Sequence, residues 1–302
     1  MSKIGDTKPT RTHMSHHRTP ATYSEGGAVA SPPARYTRDG FDAPALKGSS
    51  GVAVPAGQPR PNLTSQGGSR LTAPVVTPIY VGSYWTSAAG QADRAYNDGF
   101  AKDFGSSSIS SVLSQYGAGA GSFGGSTVSS TPVAKRVTDR QVQAIVAREL
   151  AAGHVKPSAQ GLYTVVLPPG TTLVSADGTS SRQGVGGYHS SFQGTDGKPV
   201  YYAAIAYSDA KGNGINFDGS SRDAVTITES HEWAEAATDP DVNSYDPKRR
   251  LGLYDAGINA EIGDLAIEQL DLSKTYTRVD GYAQQLEWSN HDGQYEVAAQ
   301  KG

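Results

Sequence analysis

The stretch SRDAVTITESHEWAEAA, residues 221–237, decides how this chain is read. Ala224, Val225, Ile227 and Thr228 give it an apolar side for packing. Thr238-Asp239-Pro240 then stops the pattern, because proline disfavours helical backbone at the residue before it. The expectation is a helix over 221–237 with Ser220 or Ser221 as its N-cap. On such a helix His231 and Glu235 lie on one face, one turn apart, and can hold one cation together. Glu232 is rotated by roughly 100° from His231, so it reaches a water beside that cation without ligating it. This is the logic of H-E-x-x-H, in which two histidines ligate zinc and the glutamate is the general base. Here Glu235 stands at the second ligand position, and a carboxylate oxygen is an acceptable zinc ligand. A histidine-plus-carboxylate set is harder than a two-histidine set, so manganese, iron and calcium stay open beside Zn2+. The plain alternative is a solvated acidic helix face.

A second element lies one loop downstream. Asn259-Ala260-Glu261-Ile262-Gly263-Asp264 places two acids three residues apart amid Ile258, Ile262 and Leu265, and on a helix they would share a face. Zinc hydrolases with a third carboxylate ligand draw it from a downstream helix with an Asn-Glu…Asp pattern of this kind. There the Glu ligates and the Asp supports a ligating His. The step here is three residues rather than four, so either Glu261 or Asp264 can be the third ligand.

Working outward, Val75 to Trp85 is rich in β-branched and aromatic residues and reads as a strand. Residues 88–104 repeat Ala92, Ala95, Tyr96, Phe100 and Phe104 at helical spacing. Val112 and Leu113 belong to a short helix or strand, and 117–125 is a Gly-rich loop. Thr138-Asp139-Arg140-Gln141 is a capping box opening a helix over 139–153. Strands follow at 162–167 and 200–207, then a Gly/Asp/Asn loop over 209–220. The order predicts an α+β fold, a zincin-like mixed sheet packed on the active-site helix.

Composition divides the chain. Residues 1–70 hold 8 of the 17 prolines and nine Lys/Arg against four Asp/Glu, together with His13, His16 and His17. The remaining residues hold 17 basic and 25 acidic side chains, a formal charge of −8, so the whole-chain −3 hides a basic tail on an acidic body. Such a tail cannot bury enough apolar surface to offset its ordering entropy, which predicts disorder over 1–70 and a domain over 71–302. It can serve as a linker, dock to a secretion or packaging machinery, or act as a non-specific nucleic-acid-binding arm. No apolar stretch of signal-peptide length follows the start and none approaches a membrane span, so the expected location is cytoplasmic or reached by non-classical export. The absence of cysteine removes disulfides, thiolate ligands and a cysteine nucleophile at once, leaving His, Asp and Glu as metal ligands. The acidic body disfavours specific nucleic-acid binding.

The run ESHEWAEAATDPDVNSYD at 229–246, followed by AEIGDL at 260–265, resembles the block HELAE…TNP…NAWY…EIGDLC of the phosphate-induced, exordium-type proteins of plants and their bacterial relatives. Gly186-Gly187-Tyr188-His189-Ser190 is similar to that family's Cys-Gly-x-His-Gly. Gln285-Leu286-Glu287-Trp288-Ser289-Asn290 is similar to its C-terminal Gln-x-x-Trp segment. The resemblance spans about residues 75–297. It implies an extracellular or growth-related role and names no reaction. This chain departs from the plant pattern in lacking every cysteine, including those beside the His189 and Asp264 matches, so it lacks any disulfide support of that kind.

The family match falls on His189, in a Gly-rich turn, which is a further ligand, a donor to a developing oxyanion, or a structural histidine. Tyr282 is a second candidate oxyanion donor. Asp239, Asp241 and Asn243 begin a calcium-loop pattern, but Ser244 and Arg250 stand where Gly and Glu are required. No G-x-S-x-G elbow supports a nucleophilic serine. The expected function is a metal-dependent hydrolase, peptidase-like by analogy of the helix motif, with His231, Glu235 and Glu261 or Asp264 as ligands and Glu232 as base. The competing expectation is a non-catalytic, exordium-like extracellular or effector binding protein.

Overall fold

A computed structural model describes residues 51–297, apart from 105–107, 120, 210, 216, 218–220 and 242–249. The chain is α+β. Its centre is a mixed sheet in the order Ser122–Phe123, Val75–Val81, Gly161–Val166, Pro199–Ile205, Gly187–Gln193. The three central strands run parallel. They are covered on both faces, which explains near-continuous apolar runs such as LYTVV instead of strict alternation. Gly187–Gln193 closes one edge antiparallel to Pro199–Ile205, with His189 opposite Ala203.

The strand predicted over 75–85 ends at Val81, because Gly82 takes a positive φ of 95° and a 3-10 turn, Ser83–Thr86, follows. On the side away from Gly161–Val166, its neighbour is split. Ser122–Phe123 pairs opposite Val75 and Val76, and Thr127–Ser129 opposite Ile79 to Val81. The break falls at Thr77 and Pro78, where proline has no N–H to offer a ladder.

The motif helix spans Ser221–Thr238, one residue longer than predicted, and lies across one face of this sheet. Trp233 fixes it there. Its Nε1 donates to Thr164 Oγ1 at 2.8 Å, and its ring stacks on Phe100 of the helix Ala88–Phe104, with centroids 5.1 Å apart and planes 7° from parallel. Leu162, Tyr201, Ala203, Ala234 and Ala237 fill the space around it. The opposite face carries the helix Asp139–Ala151, whose Val142, Ile145 and Val146 pack on Ile79, Val165 and Tyr202. Its capping box forms as predicted, Thr138 N–H donating to Gln141 Oε1 at 2.9 Å. The C-terminal hairpin, Tyr276–Val279 with Tyr282–Gln285, runs along the motif helix, where Thr226 Oγ1 donates to the carbonyl of Ala283 at 2.8 Å.

The boundary expected near Leu71 is corrected. Residues 51–70 pack on the body: Val52–Ala53 pairs with Gln294–Glu296, and Thr64–Ser65 pairs with Leu253–Tyr254. Leu63 is buried, and its backbone bonds both ways with the Asn290 amide. Pairing with distant strands, invisible to local periodicity, orders a segment too polar to fold by itself. Residues 1–50 lie outside the described ones. No helix among the described residues is long and apolar enough to cross a membrane.

These contacts predict that a truncation removing residues 1–70 is less stable than one removing 1–50. Losing Leu63 burial alone costs about 2 kcal/mol. The thermal midpoint of the shorter chain, read by circular dichroism, is expected to fall by roughly 4–8 °C.

Candidate metal centre

Every residue from Asp223 to Thr238 is buried, so the solvated-face reading of the motif helix fails. Glu229 and Glu232 are 0% exposed, His231 1% and Glu235 3%. A helix this polar and this buried is held by partners for its polar groups, since unpaired buried charge is costly.

Three elements meet at the helix. His189 comes from the edge strand, where it points at the motif helix and is 2% exposed. It is therefore a strand residue and not part of a turn. Glu261 and Asp264 come from the far side, at the start of the short helix Ile262–Gln269. Glu261 is that helix's N-cap, with extended backbone (ψ 175°), so the two acids do not share a helical face as predicted. They separate: Glu261 Oε1 lies 3.6 Å from His189 Nε2, and Asp264 Oδ1 lies 3.8 Å from His231 Nε2. Glu235 reaches both histidines, with Oε1 at 3.2 Å from His231 Nε2 and Oε2 at 3.4 Å from His189 Nδ1. Glu232 Oε2 also stands 3.4 Å from His189 Nδ1. Two groups, His189/Glu235/Glu261 and His231/Glu235/Asp264, each bring their donor atoms within 4.8 Å of one another, and either can hold a metal ion.

The supports around the donors are specific. Gln285 Nε2 donates to the carbonyl of Gly263 at 2.7 Å, so its Oε1 must face His231 Nδ1, 3.1 Å away. A carbonyl accepts only, which puts the proton of a neutral His231 on Nδ1 and aims the Nε2 lone pair at Glu235 and Asp264. Gln285 is anchored in turn by its own N–H, which donates to Ser230 Oγ at 2.8 Å. Gly263 has no side chain for a steric reason: a Cβ there would lie 2.7 Å from His231 Nδ1 and 2.9 Å from Glu235 Oε1. The loop before Glu261 is pinned by Asp255, whose carboxylate accepts from the N–H groups of Asn62, Gly257 and Ile258 at 2.6, 2.8 and 2.9 Å.

Electrostatically the centre is anionic. Burial, the largest single effect on each imidazole, opposes its charge, but the neighbouring carboxylates outweigh it. Glu261, Glu232 and Glu235 hold His189 well above its ordinary pKa, and Glu235, Glu232 and Asp264 push His231 up to about 10. Burial also opposes the charge of Glu235, yet His231 and His189 keep its carboxyl well below the usual range. Burial, then Glu235, pushes Glu261 far up; burial pushes Asp239 up to about 7 and Glu287 well above a carboxylate's normal value. None of Glu235, Asp239, Glu261 and Glu287 pairs with a Lys or Arg among the described residues. Protons or cations must therefore balance them.

Sequence reasoning missed part of this surround. Tyr254, in the short strand Leu253–Tyr254, has its phenol pKa raised by burial and then by Glu261 and Asp264. Tyr282, expected as an oxyanion donor, instead packs on Tyr96 and Phe100 with ring centroids 5.1 and 6.0 Å apart. Of the calcium-loop residues, Asp241 accepts from Ser191 Oγ at 3.2 Å, and Asn243 lies outside the described residues. Gln285 and Glu287 sit in a segment that the sequence singled out without a role for either. No family model, no curated protein and no solved structure matches this chain.

Gly263→Ala should cost about 1–3 kcal/mol by forcing a methyl against the His231 ring and the Glu235 carboxylate. Urea denaturation of the two proteins measures it. An unchanged midpoint would show that the three residues are not packed as described.

Proposed function

We propose that this protein is a metal-dependent hydrolase of zincin type, related to the exordium-type proteins, with Zn2+ as the first candidate metal. The observation that carries this reading is the convergence of buried His231 and Glu235 with the partly exposed Asp264, from two helices, around the His231 Nε2 that Gln285 orients. The donors fit a borderline transition ion. Two imidazoles near the site argue for zinc, manganese or iron over calcium, and the carboxylate excess keeps manganese and iron beside zinc. A cation held there would polarise a carbonyl and lower the pKa of a water.

The chain's own groups have separable tasks under this reading. Glu232, next to His231 but facing His189, takes the proton of the attacking water and passes it to the leaving group. Asp264 is the most open of the six donors, its side chain 22% exposed against 0–5% for the others, so a substrate approaches from its side. A peptide bond is the default substrate, by analogy of the helix motif.

The complete burial of Glu232 favours a second reading, in which the same donors hold a structural cation in a non-catalytic binding protein. Glu232→Gln separates the two. The hydrolase reading expects retained metal, a near-unchanged thermal midpoint and a loss of turnover on a peptide library of roughly 100-fold or more. Metal retained with turnover untouched, or no turnover in either protein, favours the structural reading. Under both, cations and protons compete for the imidazoles, so zinc affinity rises with pH through the neutral range and uptake releases protons.

A further inference from the structure

Glu235 is shared by the two donor groups, and its two oxygens diverge. Oε1 faces His231, 3.2 Å away, and Oε2 faces His189, 3.4 Å away. Each side then has its own further carboxylate within reach: Asp264 Oδ1 lies 3.8 Å from His231 Nε2, and Glu261 Oε1 lies 3.6 Å from His189 Nε2, the nitrogen that otherwise meets the Asp239 carbonyl at 3.1 Å. We infer that the centre holds two divalent transition-metal cations bridged by the Glu235 carboxylate, one on His231 and Asp264, the other on His189 and Glu261. This deepens the metal-dependent reading above and rests on it.

Three observations lead there. Glu261 Oε1, on a residue 4% exposed, accepts no hydrogen bond among the described residues, although it is turned toward His189. Left so, it is a buried acceptor with no partner, which proteins avoid unless something outside the chain completes it. Next comes the bridge itself: Glu235 Oε1, on a residue 3% exposed, likewise accepts no hydrogen bond among the described residues. Last comes shape. A bridging carboxylate spaces two ions about 3.5–4 Å apart, the separation found in two-metal hydrolases. Gly263 leaves the backbone free to approach the bridge, since any Cβ would meet both His231 and Glu235. The choice between Glu261 and Asp264 as third ligand thus dissolves, because each completes a different site.

The full chain, stripped with chelator, is titrated with Zn2+ by calorimetry, and its metal content is measured after gel filtration. Two equivalents per chain are expected. Glu261→Gln and Asp264→Asn should each leave one, and Glu235→Gln should weaken both by roughly 100-fold. His13, His16 and His17 offer adventitious imidazoles, so proximity is read separately on the unmutated protein loaded with Mn2+. An exchange-coupled electron paramagnetic resonance spectrum is expected at two equivalents. That measurement stands even where a variant fails to fold. One equivalent, lost in Asp264→Asn and kept in Glu261→Gln, or two equivalents with uncoupled Mn2+, overturns the paired site and leaves the hydrolase reading intact. No bound metal at all overturns both.

Discussion

A carboxylate placed between two imidazoles, all three out of reach of bulk water, sets the terms for the rest of this molecule. Glu235 cannot be there unless each of its oxygens meets a positive or polarised group, and His231 and His189 supply one apiece. Meeting that requirement fixes several elements at once. The motif helix must cross the sheet at its His189 edge, the downstream helix must begin beside it, and the hairpin residue Gln285 must orient His231. Trp233, one residue past Glu232, locks the crossing by gripping Thr164 and Phe100.

The sheet explains why the edge strand is the right place for a buried polar side chain. Parallel strands are sealed on both faces, so their inward positions are filled by Leu162, Ala203 and Tyr201. Gly187–Gln193 has a partner on one side only, and its inward positions carry His189 and Ser191 instead of apolar groups. Polar side chains are tolerated at this margin because the motif helix and the segment after it offer them Glu232, the Asp239 carbonyl and Asp241.

Much of this was legible in the sequence, for identifiable reasons. The 221–238 helix announced itself by a sharp stop at Asp239-Pro240 and by spacing that puts His231 and Glu235 one turn apart. The Thr138 capping box is a purely local signal, and it formed. What failed was whatever depended on distant partners. The helical face imagined for Glu261 and Asp264 required a helix starting before Glu261, and the backbone turns helical only after it. Tyr254 and Tyr282 are both tyrosines in short strands of low periodicity, so nothing local distinguishes the one beside the carboxylates from the one stacked on Tyr96. Residues 51–70 have tail-like composition, and only their pairing with Tyr254 and Tyr295 reveals them as part of the body. The family resemblance, spanning 75–297, drew attention to His189 and Gln285, which periodicity passed over.

The bond from Asn62 to the Asp255 carboxylate has a mechanical side. The same carboxylate ties the N–H groups of Gly257 and Ile258, and the chain reaches Glu261 three residues after Ile258. The segment that begins at residue 51 is thus tied to the loop that leads to Glu261. Losing Asn62 would take away one of the three N–H groups that hold the Asp255 carboxylate, and with it a support of the turn that leads to Glu261.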